Sequence, residues 1–186
     1  MYTLHIANKN YSSWSLRPWV LMKELGIEFN EQLIVFGDEP TWQAYRRLSP
    51  SGKVPCLTDE STTVWDSLAI IEYLAERHEG VWPKDAKARA WARCAAAEMH
   101  SGFQSLRDIC SMNVGLRIRM NTVSEGLQKD VDRIDSLWSH GLDTYGYYEA
   151  IYQQKVVLFF QLIHQRKLRK FNHLSSILNQ LTFTSS

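Results

Sequence analysis

The chain has 186 residues, with 21 basic and 20 acidic side chains and a formal net charge of +1 at neutral pH. This balance gives no reason to expect a nucleic-acid partner, which needs a clustered basic surface. There is no apolar run long enough for a membrane span and no signal segment at the start of the sequence. Cys56, Cys94 and Cys110 lack the paired spacing of a disulfide framework or a zinc site, so we expect a cytoplasmic protein with reduced thiols.

The first predicted elements are a strand at residues 3–7, a serine-rich turn and a helix at residues 15–25. The start of a helix has unpaired N–H groups and a partial positive charge, both of which favour an anion. A hydroxyl group there can also favour the ionised form of a thiol, whose pKa is ordinarily about 8.5. Ser12, Ser13 and Ser15 supply such hydroxyls. The alternative is that these serines only cap the helix, which is a common role for serine.

A second segment of interest follows a predicted strand at residues 29–35 and a short helix at 41–47. There Val54-Pro55 follows a turn-like sequence and precedes another predicted strand. Proline makes a cis peptide bond accessible, and a cis bond at this point turns the backbone of Val54 outward. The ammonium group of Lys53 can reach a nearby carboxylate as a point charge. An ordinary turn is the alternative.

A third segment opens a helix after two short predicted strands at residues 56–58 and 63–65. Asp66 and Ser67 precede apolar residues with a helical period over residues 67–77. Aspartate and serine at a helix start are first of all capping residues. The alternation of strands and helices up to residue 78 indicates an α/β sandwich.

In their order and spacing, the serine turn, the Val54-Pro55 segment and the Asp66-Ser67 pair resemble the glutathione-binding domain of cytosolic glutathione transferases, specifically the serine-type, zeta-like lineage. The resemblance implies a thioredoxin-like α/β domain at residues 1–78 and an all-α C-terminal domain. It also implies glutathione as co-substrate, no metal, a small electrophilic second substrate and a homodimer.

The resemblance assigns roles to individual residues. Ser12, found by counting back from the Gly26 that ends the first helix, would stabilise the thiolate, with Ser13 as second choice. Val54 would pair with the peptide backbone of glutathione, and Asp66 and Ser67 would receive its γ-glutamyl group. The full set of implied glutathione-binding residues is Ser15, Lys53, Val54, Pro55, Asp66 and Ser67.

The second domain follows a connector at residues 79–84 and begins with a long predicted helix from Asp85, whose apolar stripe runs to Ile109. Another helix is predicted at residues 125–142. By resemblance, the inner face of the long helix faces the serine turn and lines the pocket for the electrophile, through Met99, His100 and Phe103. Such residues at helical spacing are usually core, and a lone histidine is usually a packing or surface residue. The six histidines lack metal-site spacing.

The resemblance ends near residue 146, so residues 85–146 are predicted to be a truncated helical domain and residues 147–186 an atypical tail. All tryptophan, glycine and proline residues precede residue 147, and the tail carries a net charge of +4 against −3 for the remainder. A frameshift, a retained intron or a fusion would each explain this change. The apolar run at residues 156–163 suits a strand, an amphipathic helix or an aggregation-prone segment.

The sequence therefore predicts a detoxification enzyme that conjugates the glutathione thiolate to small electrophiles. A closely related alternative is a glutathione-dependent isomerase of a maleyl-type diacid, which uses the same thiolate as a reversible nucleophile. Two further alternatives are a binding module without turnover and a non-functional product of a disrupted gene.

Overall fold

The computed structural model of the chain describes residues 1–35, 39–113 and 120–147. The α/β part comprises β1 (Tyr2–Ile6), α1 (Ser13–Glu24), β2 (Phe29–Leu33), α2 (Glu39–Leu48), β3 (Cys56–Asp59), β4 (Thr62–Trp65) and α3 (Ser67–Ala75). The helical part comprises α4 (Ala86–Ser101), α5 (Gln104–Ile109) and α6 (Glu125–Tyr147). The atypical tail predicted at residues 147–186 lies outside the described residues, apart from Tyr147.

The four strands form one mixed sheet in the order β2-β1-β3-β4. β1 is parallel to β2, while β3 is antiparallel to both β1 and β4. This topology, with helices packed on the sheet, confirms the predicted thioredoxin-like domain. The strand boundaries agree with the sequence predictions to within about two residues.

The register of the sheet brings the three sequence segments of interest to one edge. His5, near the end of β1, pairs with Cys56 at the start of β3, and Cys56 pairs with Trp65 at the end of β4. The chain therefore leaves β1, enters β3 and leaves β4 at the same edge of the sheet. The serine turn, Val54-Pro55 and Asp66 occupy those three connections. The Val54–Pro55 peptide bond is cis.

Two apolar cores stabilise the described part of the chain. The first fills the space between the sheet, α1 and α3, and α4 joins it through Ala92 and Ala96. The second lies among α4, α5 and α6, with Ala95, Met99, Leu106, Leu127 and Ile134 among its fully buried members. Because α4 contributes to both cores, it holds the α/β part and the helical part together. Arg93 of α4 adds two hydrogen bonds to Glu72 of α3, at 3.2 and 2.9 Å.

The prediction of one long helix from Asp85 to Ile109 was wrong. The helix ends at Ser101, and α5 begins at Gln104 after a break in which Phe103 has a left-handed φ of 62°. Glycine is a poor helix former, so Gly102 is a weak point in the helical run. Arg107 then stabilises the break by donating to the carbonyl groups of Met99 and Gly102. The break turns α5 toward the serine turn.

No helix among the described residues has the length and apolar character that a membrane span requires.

Candidate functional site

Ser12 is the N-cap of α1. Its extended backbone (φ −97°, ψ 94°) leads into the helix, and its Oγ accepts a hydrogen bond of 3.3 Å from the backbone N–H of Ser15. Ser12 therefore caps the helix, as the alternative prediction from the sequence stated. It is compatible with anion binding, because only some of the unpaired N–H groups in the first turn are used by the cap. Ser13 is the first residue of the helix and is half-buried.

Ser15 links the end of β1 to the start of α1. Its side chain is completely buried, and its Oγ accepts from the N–H of Ala7 at 3.0 Å and from the hydroxyl of Ser12 at 2.9 Å. Ser15 therefore fixes the position of the Ser12 hydroxyl from inside the protein. A direct contact between Ser15 and glutathione, implied by the resemblance, finds no support in this burial.

The indole ring of Trp14 is the centre of a cationic cluster beside the serine turn. The guanidinium carbon of Arg17 lies 4.3 Å from the ring centre and that of Arg107 lies 4.8 Å from it. The ring of His100 meets the indole edge-on, with 5.1 Å between the ring centres. α1, α4 and α5 thus each contribute a nitrogen-bearing side chain to one aromatic ring.

Arg17 is the most unusual member of this cluster, since it is only 2% exposed. Its two terminal nitrogens have no hydrogen-bond partner among the described residues. Burial, together with repulsion from Arg107, lowers the pKa of Arg17 to about 9, against an opposing attraction from Asp66. The group still carries a positive charge at neutral pH. An unpaired cation close to a pocket attracts an anion to it.

An open cleft of about 440 Å³ lies between the serine turn and the end of α5. Ser12, Ser13, Trp14, Arg107 and Cys110 line it, as do Ala7, Asn8, Tyr11, Ser111 and Met112. The sequence predicted the serines but not the contribution of α5 and the segment after it. Gly102 inside a predicted helix was the one available signal, because the break there directs Arg107 into the cleft.

Asp66 and Ser67 begin α3 at the same edge of the sheet. Asp66 has a φ of 76°, which is unfavourable for a residue other than glycine, and its Oδ1 accepts from the N–H groups of Leu68 and Ala69 at 2.8 and 3.4 Å. Ser67 is 1% exposed, and its Oγ has no partner among the described residues. Buried hydroxyl groups are normally paired, so this unpaired one is unusual. The predicted contact of Ser67 with a ligand carboxylate stays a prediction, because the residue is about as buried as Ser15.

The loop before the cis bond is fixed from α2. Tyr45 and Ser49 both donate to the carbonyl oxygen of Lys53, at 2.7 and 3.1 Å. Burial raises the pKa of Tyr45 to about 12, so its hydroxyl stays protonated and can act as this donor. The Lys53 side chain is exposed, Val54 is half-buried and Pro55 is buried. None of these three residues lines the cleft beside Ser12.

The three predicted pocket residues, two in α4 and Phe103 in the break after it, differ in their surroundings. Met99 and Phe103 are 0% and 6% exposed and pack in the core of the helical part, so neither lines the cleft beside Ser12. His100 instead points toward the α/β part, where its Nε2 lies 3.3 Å from Oδ2 of Asp66. Within the described ranges, no group of three His, Cys, Asp or Glu side chains is arranged to hold a metal ion.

The described residues form a thioredoxin-like sheet with a serine at the start of its first helix, followed by a helical part. Residues 11–77 match the family described as "Glutathione S-transferase, N-terminal domain". The match covers the chain from the serine turn to just after α3.

The chain is also similar to known relatives in sequence and to solved structures in fold. The chain is 32% identical over 99 residues to a probable maleylacetoacetate isomerase of Caenorhabditis elegans, a match that covers 52% of this chain and 45% of that protein. The chain thus matches about half the length of this relative. Its fold is similar to a diazinon-metabolizing glutathione S-transferase of the silkworm Bombyx mori (TM-score 0.73, 19% identity, 96% of this chain and 87% of that one). It is also similar to a glutathione transferase homolog from Burkholderia GL BGR1 with bound glutathione (TM-score 0.62, 21% identity, 96% and 97% coverage).

Proposed function

We propose that this chain is a glutathione transferase that adds the glutathione thiolate to small electrophiles. The observation that carries the proposal is the register of the sheet, which gathers the serine turn, Val54-Pro55 and Asp66 at one edge of the sheet. Of these three segments, the serine turn lines the open cleft. In this proposal Ser12 faces the sulfur, Val54 pairs with the peptide backbone, Lys53 reaches the glycine carboxylate, and Asp66 and Ser67 receive the γ-glutamyl group.

The hydrogen bonds around Ser15 suggest how Ser12 would serve the thiolate. Ser15 Oγ already accepts from the N–H of Ala7, and a serine hydroxyl can rotate to donate as well as accept. In the structure the Ser12 hydroxyl donates to Ser15 Oγ. If this bond reverses when an anion binds, the Ser12 hydroxyl accepts from both the N–H and the Oγ of Ser15 and is free to donate to the anion. The partial charge at the start of α1 and the cations near Trp14 act in the same direction. The ionised form of the thiol is then favoured at neutral pH.

Titration of the thiol of bound glutathione, followed by its ultraviolet absorbance against pH, tests this role. We expect a pKa below about 7.5, which returns toward the free value near 8.5 in Ser12→Ala. Conjugation activity should fall about 100-fold in the same variant. Ser13→Ala tests the second choice, and Ser136→Ala, on the exposed face of α6, is the matched control. If the lowered thiol pKa is lost in Ser13→Ala but kept in Ser12→Ala, Ser13 and not Ser12 stabilises the thiolate.

The second candidate function is glutathione-dependent isomerisation of a maleyl-type diacid. Two observations favour it: the name of the Caenorhabditis relative and the position of Arg107 in the cleft beside Ser12. A diacid needs a cationic partner, and a guanidinium binds carboxylates in a two-pronged geometry. Turnover of a cis-unsaturated diacid to its trans isomer, with glutathione unchanged, would support the isomerase over the transferase.

Two measurements separate the remaining alternatives. Retention on immobilised glutathione with an unshifted thiol pKa and no turnover would indicate a binding module. A shallow or absent cooperative transition in urea would indicate that the helical domain does not close, as expected for a disrupted-gene product.

We further propose a homodimer in the cytoplasm, and sedimentation of the full chain tests its oligomeric state.

A further inference from the structure

His100 of α4 contacts both ends of the proposed glutathione site. Its Nε2 lies 3.3 Å from Oδ2 of Asp66, and its ring packs edge-on against Trp14, which directly follows the two candidate serines. The histidine belongs to the helical domain, whereas Asp66 and Trp14 belong to the α/β domain. One side chain of the helical domain therefore spans the region between the predicted thiol end and the predicted γ-glutamyl end.

The Asp66 carboxylate has one oxygen for its own helix and one for His100. Oδ1 accepts from the first N–H groups of α3, while Oδ2 faces the imidazole. The Asp66 side chain is 45% exposed, so a ligand ammonium group can still reach the same carboxylate. The backbone of Asp66 has a positive φ, and such conformations persist where the surrounding structure holds the residue in place.

The two ring nitrogens of His100 have different surroundings. Its Nδ1 is buried without a partner among the described residues, so Nε2 is the nitrogen that has an acceptor. Nε2 and Oδ2 lie within ion-pair distance, so a protonated imidazole would attract the Asp66 carboxylate.

We propose that His100 is a positioning residue for glutathione, which holds the Asp66 carboxylate in the orientation that receives the γ-glutamyl ammonium group. This inference depends on the proposed function. It gives the helical domain a part in binding the peptide, in addition to lining the cleft for the electrophile.

The test compares two variants of His100 in the full chain, with chlorodinitrobenzene as electrophile. His100→Leu removes the imidazole that faces Asp66, and we expect it to raise the KM for glutathione about tenfold with little change in kcat at saturating glutathione. His100→Gln keeps an N–H near the position of Nε2 and should recover most of the loss. Cys94→Ala, on an exposed position of α4, is the matched control.

A truncated thiol distinguishes positioning from a general structural effect. Cysteinylglycine lacks the γ-glutamyl group, so its KM should be nearly the same in the wild-type protein and in His100→Leu. Equal losses for glutathione and cysteinylglycine, or a loss in kcat alone, would overturn the proposal. Wild-type protein that neither binds nor turns over glutathione would instead refute the proposed function itself.

Discussion

The guanidinium of Arg17 lies over the Trp14 indole, 4.3 Å from the ring centre, and is almost completely removed from solvent. Stacking on an aromatic ring offsets part of the cost of burying a cation, but neither terminal nitrogen has a hydrogen-bond partner among the described residues. Burying such a group lowers the stability of the folded state. Its position on α1, one turn after Ser13 and against Trp14, gives it an electrostatic use, because a buried charge acts through a medium that screens it weakly.

Arg17→Met should therefore make the protein more stable and less able to ionise glutathione. The pKa of Arg17 is about 9 in the folded chain, below its ordinary 12.5, so the folded state disfavours the cation at every pH below about 9. Replacing buried ion pairs by well-packed apolar side chains is neutral to stabilising by about 1 to 4 kcal/mol in other proteins, and by analogy we expect a rise of about 2 °C or more in Tm at neutral pH.

The second measurement on Arg17→Met is the pKa of the bound glutathione thiol. Loss of a nearby positive charge should raise that pKa, even though the serine turn is intact. A fall in Tm would mean that stacking on Trp14 outweighs desolvation. An unchanged thiol pKa would mean that Arg17 has no electrostatic role in the site.

Arg107 is expected to distinguish substrates by charge. It lines the cleft, and replacing it by glutamine should lower kcat/KM for an electrophile that carries a carboxylate by about tenfold, while a neutral electrophile is affected much less. Because Arg107 also donates to carbonyl groups at the break between α4 and α5, Tm must be measured alongside activity. Arg107→Lys keeps the charge and should retain part of the preference. Equal losses for both electrophiles would point to a structural role only.

The sequence predicted the α/β domain well because local signals determine it. Alternating strands and helices, the serine turn, the Val54-Pro55 segment and the Asp66-Ser67 cap each have a recognisable pattern, and the register of three strands then brings them together. The break at Gly102 was missed because the apolar stripe of the predicted helix continues across it. Arg107 was missed for the same reason, since only the break turns α5 toward the serine turn.

The burial of side chains was harder to predict than the elements themselves. Ser15 and Arg17 both stand in a polar, serine-rich segment, yet they are 0% and 2% exposed. Their burial results from packing between α1, the sheet and the helical domain, which no short pattern encodes. Met99 and Phe103 show the opposite case, in which residues predicted to line a pocket pack in the core.

Gly141 is a tight contact point between α4 and α6. A Cβ atom at this position would collide with the six-membered ring of Trp91, which also packs against Tyr145. Alanine is a better helix former than glycine by about 1 kcal/mol, so Gly141→Ala would be stabilising if space were available. We expect a net loss of about 1 to 2 kcal/mol instead, measured by urea unfolding. Combining it with Trp91→Leu, which removes the colliding ring, should cost less than the sum of the two single changes; strict additivity would argue against the contact.

The ion pair between Glu98 of α4 and Arg133 of α6 should give the helical domain a pH-dependent stability. Hydrogen bonds of 2.5 and 2.7 Å from Arg133 lower the pKa of Glu98 below its ordinary 4.5, although burial acts in the opposite direction. A carboxyl group with a lowered pKa stabilises the folded state above its unfolded pKa, and this contribution is lost as the pH falls through the folded value. Glu98→Gln should therefore lower Tm at neutral pH and lose this deficit as the pH falls through the lowered pKa of Glu98. Because both side chains are at least one-third exposed, the effect at neutral pH should not exceed about 1 kcal/mol.

Glu79→Gln, which breaks the much more exposed pair with Lys84 in the connector, is the control and should leave Tm unchanged across the same pH range. A Tm deficit in Glu98→Gln that persists at low pH would show that packing of the side chain, and not its charge, links the two helices.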